Sequence, residues 1–194
     1  MLASVSRTAG PASDEALIGR IASGDRAAMQ ALYARHSVRV YRFLLRLVRD
    51  PTLAEDLVSD VFFDVWQQAG RFEARSSGTT WILSIARYKA LSSHRGRRNV
   101  ALDPEWAGSI EDEADTPEVA AQKLSKAEAL RRCLGELSPE HREVVDLVYY
   151  HERSVDEVSE ILGIPEGTVK TRLFHARKRL SEILKAAGID RGWP

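Results

Sequence analysis

Apolar residues recur at helical spacing through the first half of the chain, and helix-start and helix-stop residues separate the runs. Residues 14–49 show this spacing, with Gly24 as the expected break. Asp50 and Pro51 favour a second helix start, and we expect that helix to run from Thr52 to about Ala69. After a loop over residues 70–78, a further helix is expected over residues 79–94.

The second half shows the same helical spacing after an interruption. Residues 99–119 have no sustained apolar periodicity and are rich in acids, so we interpret them as a linker. Helices are expected over residues 123–137 and 138–150, followed by a helix pair over 154–180. No segment shows the convincing alternation of a strand. The prediction is an all-α chain: a disordered terminus (1–13), a helical domain (14–98), a flexible acidic linker (99–122) and a second helical domain (123–187).

The helix pair near the C-terminus has the local signals of a helix-turn-helix. Ser154 and Glu157 can form a capping box, Gly163 permits a sharp exit, and Pro165 suits the first position of the next helix. In that helix one apolar face is predicted from Val169, Leu173, Ala176 and Leu180. The remaining surface carries Lys170, Thr171, Arg172, Phe174, His175, Arg177 and Lys178. This arrangement favours duplex DNA reading, and the alternative is a solvated cationic helix.

The helix predicted from Thr52 carries an acidic face that helix stability alone disfavours. Asp56, Asp60 and Asp64 stand at i, i+4 and i+8, where like charges repel. The same helix has more aromatic surface than one stripe buries easily, from Phe62, Phe63 and Trp66. An acidic face edged by aromatics suits a basic protein partner, whereas an ordinary solvated face with core aromatics explains the periodicity equally well.

Aromatic and basic residues alternate over residues 71–98. The aromatics are Phe72, Trp81 and Tyr88, and the cations include Arg75, Arg87, Arg95, Arg97 and Arg98. Bases stack on rings while phosphates pair with cations, so the segment suits single-stranded nucleic acid. Trp81 taken alone is more typical of a core residue.

The net charge of zero conceals segregation, because basic segments flank the acidic linker. The single cysteine, Cys133, has leucines at helical spacing and is expected in the core rather than in redox chemistry. The five histidines show no metal-ligand spacing and no phosphate-binding glycine loop is present, so neither metal nor cofactor is expected. No apolar run is long enough for a membrane span or a signal peptide, which favours a cytoplasmic protein.

Three segments together resemble the bacterial sigma-70 family, in its extracytoplasmic-function (ECF) group. AEDLVSDVFFDVW (54–66) is similar to region 2.2, TWILSIARYKAL (80–91) to regions 2.3 and 2.4, and GIPEGTVKTRLFHARKRL (163–180) to region 4.2. The resemblance extends over residues 14–184. It implies a promoter-specificity subunit of RNA polymerase, not an enzyme, serving a stress or envelope-type regulon.

The resemblance also implies partners and site residues. Core polymerase binding falls on Asp56, Asp60, Phe63 and Asp64. Contacts to the −10 element, with a flipped base captured by the loop 72–79, fall on Phe72, Arg75, Trp81, Arg87, Tyr88, Arg95, Arg97 and Arg98. Contacts to the −35 element fall on Glu166, Lys170, Thr171, Arg172, Phe174, His175, Arg177 and Lys178. A separate anti-sigma factor is the expected regulator.

Departures from the family pattern bear on specificity. Tyr88 stands where members usually have Asn, and Ser159 where they usually have Ala. Glu166 replaces a basic or apolar residue and could accept a hydrogen bond from a cytosine amine or favour the helix N-terminus.

Two other functions compete with a sigma factor. A helix-turn-helix regulator that binds duplex DNA only would explain residues 154–180 but neither the acidic face nor the aromatic and basic segment. An enzyme using Asp56 and Asp60 as metal ligands or as acid and base has the weakest support, because no third ligand stands at suitable spacing.

Overall fold

The computed structural model describes residues 12–96 and 132–186. The chain divides into two compact units, Met1–Arg98 and Asn99–Pro194. Within the described ranges all regular structure is helical, as the sequence predicts. The predicted acidic linker and the predicted disordered terminus, apart from residues 12 and 13, lie outside these ranges.

The first unit contains four α-helices over the described residues: α1 (Asp14–Ala22), α2 (Arg26–Val48), α3 (Pro51–Gln68) and α4 (Gly78–Gly96). Carboxylates or hydroxyls cap their starts, because the first N–H groups of a helix have no partner inside it. Asp25 accepts from the N–H of Ala28, and Asp50 accepts from that of Leu53. Gly24, with φ 85°, makes the predicted break between α1 and α2.

The core of the first unit lies where the inner faces of these helices meet. Phe43 and Leu44 of α2 are fully buried, as are Val61 of α3 and Leu83 of α4. Ile18 of α1 is also fully buried, so the short first helix belongs to this core. Each helix therefore gives one face to packing and keeps the opposite face for solvent or partners.

The second unit begins, within the described range, with helical residues 132–135, the end of the helix expected over 123–137. It continues with α5 (Pro139–Val145), a π-helical turn (Asp146–Tyr150), α6 (Val155–Leu162) and α7 (Glu166–Ala186). Cys133 is buried beside Leu137, Val145, Ala176 and Ile183, which agrees with its expected core position.

Two sequence expectations need correction in this unit. The helix expected over 138–150 is α-helical only to Val145, and its last turn is π-helical. Pro165 lies one residue before the first residue of α7, and its carbonyl accepts from the N–H of Val169. Proline fits there because that position needs no N–H donor.

The turn between α6 and α7 generates a stability prediction. Gly163 ends α6 at φ 64°, with open space around the position of a Cβ. Gly163→Ala should therefore destabilise the second unit by ~1 to 2 kcal/mol through backbone strain alone. Native-state hydrogen exchange of the α6 and α7 amides measures it. Gly167→Ala is the matched control, since Gly167 is helical with equally open surroundings, and it should slow exchange. Equal effects for both substitutions would contradict the turn geometry.

Candidate polymerase and nucleic-acid interfaces

The acidic face of α3 is open at two of its three predicted aspartates. Asp56 and Asp60 are exposed, and Phe63 beside them is 60% exposed. The opposite face of α3 is buried through Leu57, Val61 and Val65. This face therefore combines one apolar ring with two carboxylates, which makes it a candidate interface for a basic, partly apolar protein surface.

The other two aromatic side chains of α3 are buried to different degrees. Phe62 is buried and meets the ring of Tyr33 edge to face, with ring centroids 4.8 Å apart. Trp66 is half-buried. The aromatic excess noted in the sequence thus resolves into one core ring, one partly covered ring and one exposed ring.

Asp64 differs from the other two aspartates. Its carboxylate lies 2.9 Å from Nζ of Lys89 on α4, and the two side chains are only 18% and 23% exposed. This partly buried pair joins α3 to α4 and is screened less than a surface pair. Asp64 therefore links the acidic face of α3 to the aromatic and basic helix.

The segment between α3 and α4 brings Phe72 onto Trp81. Their ring centroids are 5.0 Å apart at an interplanar angle of 41°, and both residues are half-buried. Between them, exposed Arg75 pairs with Glu73 at 2.6 Å, and Ala74 has a φ of 53°. The structure thus combines two aromatic rings and one arginine at the start of α4.

Three of the other predicted −10 residues, Arg87, Tyr88 and Arg95, lie on α4. Tyr88 is 68% exposed, far more than a core tyrosine would be. Arg87 is half-buried. Arg95 lies on the last turn of α4, whereas Arg97 and Arg98 lie outside the described ranges.

Carboxylates of α1 meet the start of α4, which the sequence reasoning missed. Glu15 accepts from the backbone N–H of Gly78 at 3.0 Å, and Asp14 accepts from the hydroxyl of Thr79 at 3.2 Å. The Gly78 hydrogen bond holds the pKa of Glu15 below its usual value. The sequence marked Asp14 only as the start of a helical stretch, and its partner Thr79 lies 65 residues farther along the chain.

Asp14 is also bound from α2. Nη1 of Arg35 lies 2.6 Å and Nε2 of buried His36 lies 2.7 Å from its two carboxylate oxygens. Burial alone would raise the pKa of Asp14, but the hydrogen bonds from His36 and Arg35 outweigh it and the pKa is lowered. Asp14 is therefore an ionised anchor shared by α1, α2 and α4.

In the second unit, α6 and α7 form the predicted helix-turn-helix geometry. Both halves of the Ser154 and Glu157 capping box are present, and Arg153 adds an ion pair to Glu157 at 2.7 Å. The hydroxyl of Ser159 donates to the carbonyl of Ile164 at 2.6 Å, which ties α6 to the turn. Ser159 thus has a structural use here that an alanine could not have.

The outward face of α7 carries the predicted −35 residues, of which all but half-buried Arg172 are exposed. Glu166 and Lys170 pair at 3.1 Å, and Thr171 donates to the carbonyl of Gly167. Phe174 is 60% exposed, and its ring meets that of His175 edge to face. The ring centroids of His175 and His141, which lies on α5, are 6.3 Å apart. Val169, Leu173 and Ala176 are buried on the inner face, and Leu180 is half-buried.

In residues 12–96 and 132–186 no group of three or more histidine, cysteine, aspartate or glutamate side chains could hold a metal ion. Over the same ranges, no helix has both the length and the apolar character required to cross a bilayer.

Comparisons with known proteins match each unit separately and the chain as a whole. Residues 32–100 match Sigma-70 region 2, and residues 127–180 match Sigma-70, region 4. The ECF RNA polymerase sigma factor SigL of Mycobacterium tuberculosis is 32% identical over 91% of this chain and 99% of its own. The RNA polymerase sigma factor CarQ of Myxococcus xanthus is 36% identical over 85% of this chain and 94% of its own.

Two solved structures share the fold. CnrH in complex with the cytosolic domain of CnrY has a TM-score of 0.65 and 26% identity, covering 89% of this chain and 97% of that chain. The sigma factor RpoE of Bartonella quintana, in complex with the anti-sigma factor NepR, has a TM-score of 0.64 and 25% identity, covering 79% and 94%.

Proposed function

Because this chain belongs to the sigma-70 family, in its ECF group, we propose that its two units divide the work of a sigma factor between them. The first unit binds core RNA polymerase and opens the −10 element. The second unit reads the −35 element. The observation that carries the proposal is the pairing, on one small unit, of an acidic face on α3 with an aromatic and basic face on α4.

Polymerase binding is assigned to Asp56, Asp60 and Phe63. Their carboxylates and ring are exposed on one face of α3, so they can meet a basic, partly apolar surface without rearrangement. Asp64 is assigned a different part in the same function. Its pair with Lys89 keeps α4 at a fixed position relative to the polymerase-binding helix.

Opening of the −10 element is assigned to the loop before α4 and to the outer face of α4. Phe72 and Trp81 offer ring surface on which an unstacked base can pack, and Arg75 offers a cation for phosphate. Tyr88 stands fully outside the core and is available to select the base. Arg87, Arg95, Arg97 and Arg98 complete the proposed set.

The −35 element is assigned to the exposed face of α7. Lys170 and Glu166 lie in its first turns, where a recognition helix reaches base edges. Farther along, Arg177 and Lys178 are exposed and suited to phosphates. A regulator that binds duplex DNA only would need this surface alone and would leave the first unit without a use.

Partners and location follow from the same assignment. We propose a separate anti-sigma factor as regulator, since the similar CnrH and RpoE structures are complexes and RpoE is held by an anti-sigma factor. The protein then acts in the cytoplasm, where polymerase and promoter are found, as a regulator rather than as an enzyme.

Charge reversal on the acidic face tests the polymerase assignment. Asp56→Lys combined with Asp60→Lys should abolish competition for core polymerase, because a complementary charge becomes repulsive, while relief of carboxylate repulsion leaves α3 intact. A competition assay against labelled wild-type protein measures it. Asp60→Lys alone should weaken competition, and Glu55→Lys, a reversal of another exposed carboxylate on α3, is its control and should compete normally. Normal competition by the double variant would show that the face is misassigned.

Substitutions on α7 separate base reading from affinity. Arg177→Ala should weaken binding to all −35 sequences alike and reduce the salt slope by about one unit. Lys170→Ala should instead change which base is preferred at one position, where the free energy of discrimination between bases should change by ~1 to 3 kcal/mol. Holoenzyme titrations on a −35 library at several salt concentrations measure both. If both variants lost the same affinity for every −35 sequence, α7 would contribute only electrostatic contacts and no base reading.

A further inference from the structure

The first turn of α1 holds the start of α4 through two adjacent carboxylates. Glu15 takes the N–H of Gly78, the first residue of α4, and Asp14 takes the hydroxyl of Thr79, the second. Ser77 supplies the third contact, accepting from the N–H of Thr80 at 3.2 Å. The start of α4 is therefore satisfied partly by its own cap and partly by another helix.

The charge of these carboxylates suits the place where they lie. The first turn of a helix carries partial positive charge on its free N–H groups, and anions nearby are stabilising. A charged acceptor also makes a stronger hydrogen bond than a neutral one. Both effects are absent when the carboxylate is replaced by an amide of the same shape.

The contact is close as well as polar. A Cβ at Gly78 would stand 2.7 Å from Cβ of Asp14 and 3.0 Å from Cδ1 of Ile18, so no larger residue fits unless α1 or α4 shifts. The two helices thus meet at backbone distance where the loop from Phe72 ends. A displacement of this junction would move both the loop and Trp81, which follows Thr80 directly.

Asp14 is itself fixed from the other side. Arg35 and His36 of α2 hold its two oxygens at 2.6 Å and 2.7 Å, and His36 is buried. A chain of contacts therefore runs from the buried face of α2 through Asp14 to Thr79. None of these residues lies on the acidic face of α3.

We propose that Asp14 and Glu15 are positioning residues for promoter opening. They fix the start of α4, and with it the Phe72 to Thr79 loop and Trp81, in the geometry that captures the unstacked −10 base. This inference rests on the proposed function of that loop. It adds α1, which bears none of the residues assigned to DNA, to the promoter-opening apparatus.

Matched substitutions in the full chain, assembled with core polymerase, test this role. Thr79→Val removes only the hydroxyl, Thr79→Ser keeps it, and Asp14→Asn removes the charge. Asp25→Asn is the control, because Asp25 caps α2 and pairs with Arg20 at 2.8 Å, and among the described side chains no hydrogen bond or ion pair joins it to α4. Permanganate reactivity of −10 thymines gives the opening rate, and competition gives core affinity.

The expected result is a loss of opening at constant core affinity. Thr79→Val should slow opening about tenfold, the usual effect of losing one hydrogen bond to a charged group. Asp14→Asn should slow opening at least as much, because loss of the charge weakens the contacts with Arg35 and His36 as well as the one with Thr79. Their double variant should be no slower than Asp14→Asn alone, since that substitution already affects the Thr79 contact. Thr79→Ser and Asp25→Asn should open promoters at the wild-type rate.

Three results would overturn the inference in distinguishable ways. Unchanged opening in Asp14→Asn and Thr79→Val, while Phe72→Ala blocks opening, would refute the positioning role alone. Equal losses of opening and core affinity would show a general structural effect instead. Normal opening in Phe72→Ala would refute base capture by the loop, and the positioning role with it.

Discussion

Apart from the loop before α4, the described surfaces that we assign to polymerase or DNA are outer faces of helices whose inner faces pack in a small core. In the first unit, the fully buried side chains of Phe43, Val61 and Leu83 lie in the core that α2, α3 and α4 share. Burial of such side chains contributes the main favourable term in folding and fixes the rotation of each helix about its axis. Once that rotation is fixed, Asp56 and Tyr88 lie on the faces opposite the core and are exposed.

Polar contacts then fix the position of one helix along another, which packing alone leaves variable. Packing tolerates small slides of one helix along another, whereas an ion pair or a hydrogen bond to a charged group has a narrow range of distance. Lys89 with Asp64 limits such slides between α3 and α4, and Thr79 with Asp14 limits them between α1 and α4. The helix that we assign to the −10 element is thus held at its start and along its length.

Local patterns predicted most of the fold because the determinants are local. Gly24, Pro51 and the Ser154 capping box each act within one helical turn, and the helices begin and end at or near the residues expected. The π-helical turn at Asp146–Tyr150 has no such local signal, and it was predicted as ordinary helix.

The site was predictable where a single helix carries it and not where helices meet. The exposed faces of α3 and α7 follow from periodicity, so Asp60 and Lys170 were readable as surface residues. The partners of Asp64 and Asp14 stand on other helices, and periodicity says nothing about which side chains meet across a core. Asp64 was accordingly grouped with the open aspartates, and Asp14 was read only as the start of a helical stretch.

Base selection by Tyr88 is the most direct test of promoter opening by α4, because Tyr88 is exposed and its replacement leaves the core untouched. The measurement is permanganate footprinting of holoenzyme on promoters that carry each of the four bases at the captured −10 position. We expect Tyr88→Asn to change which base gives the fastest melting, while binding to the −35 element stays the same. Identical melting profiles for wild type and Tyr88→Asn across all four promoters would contradict it.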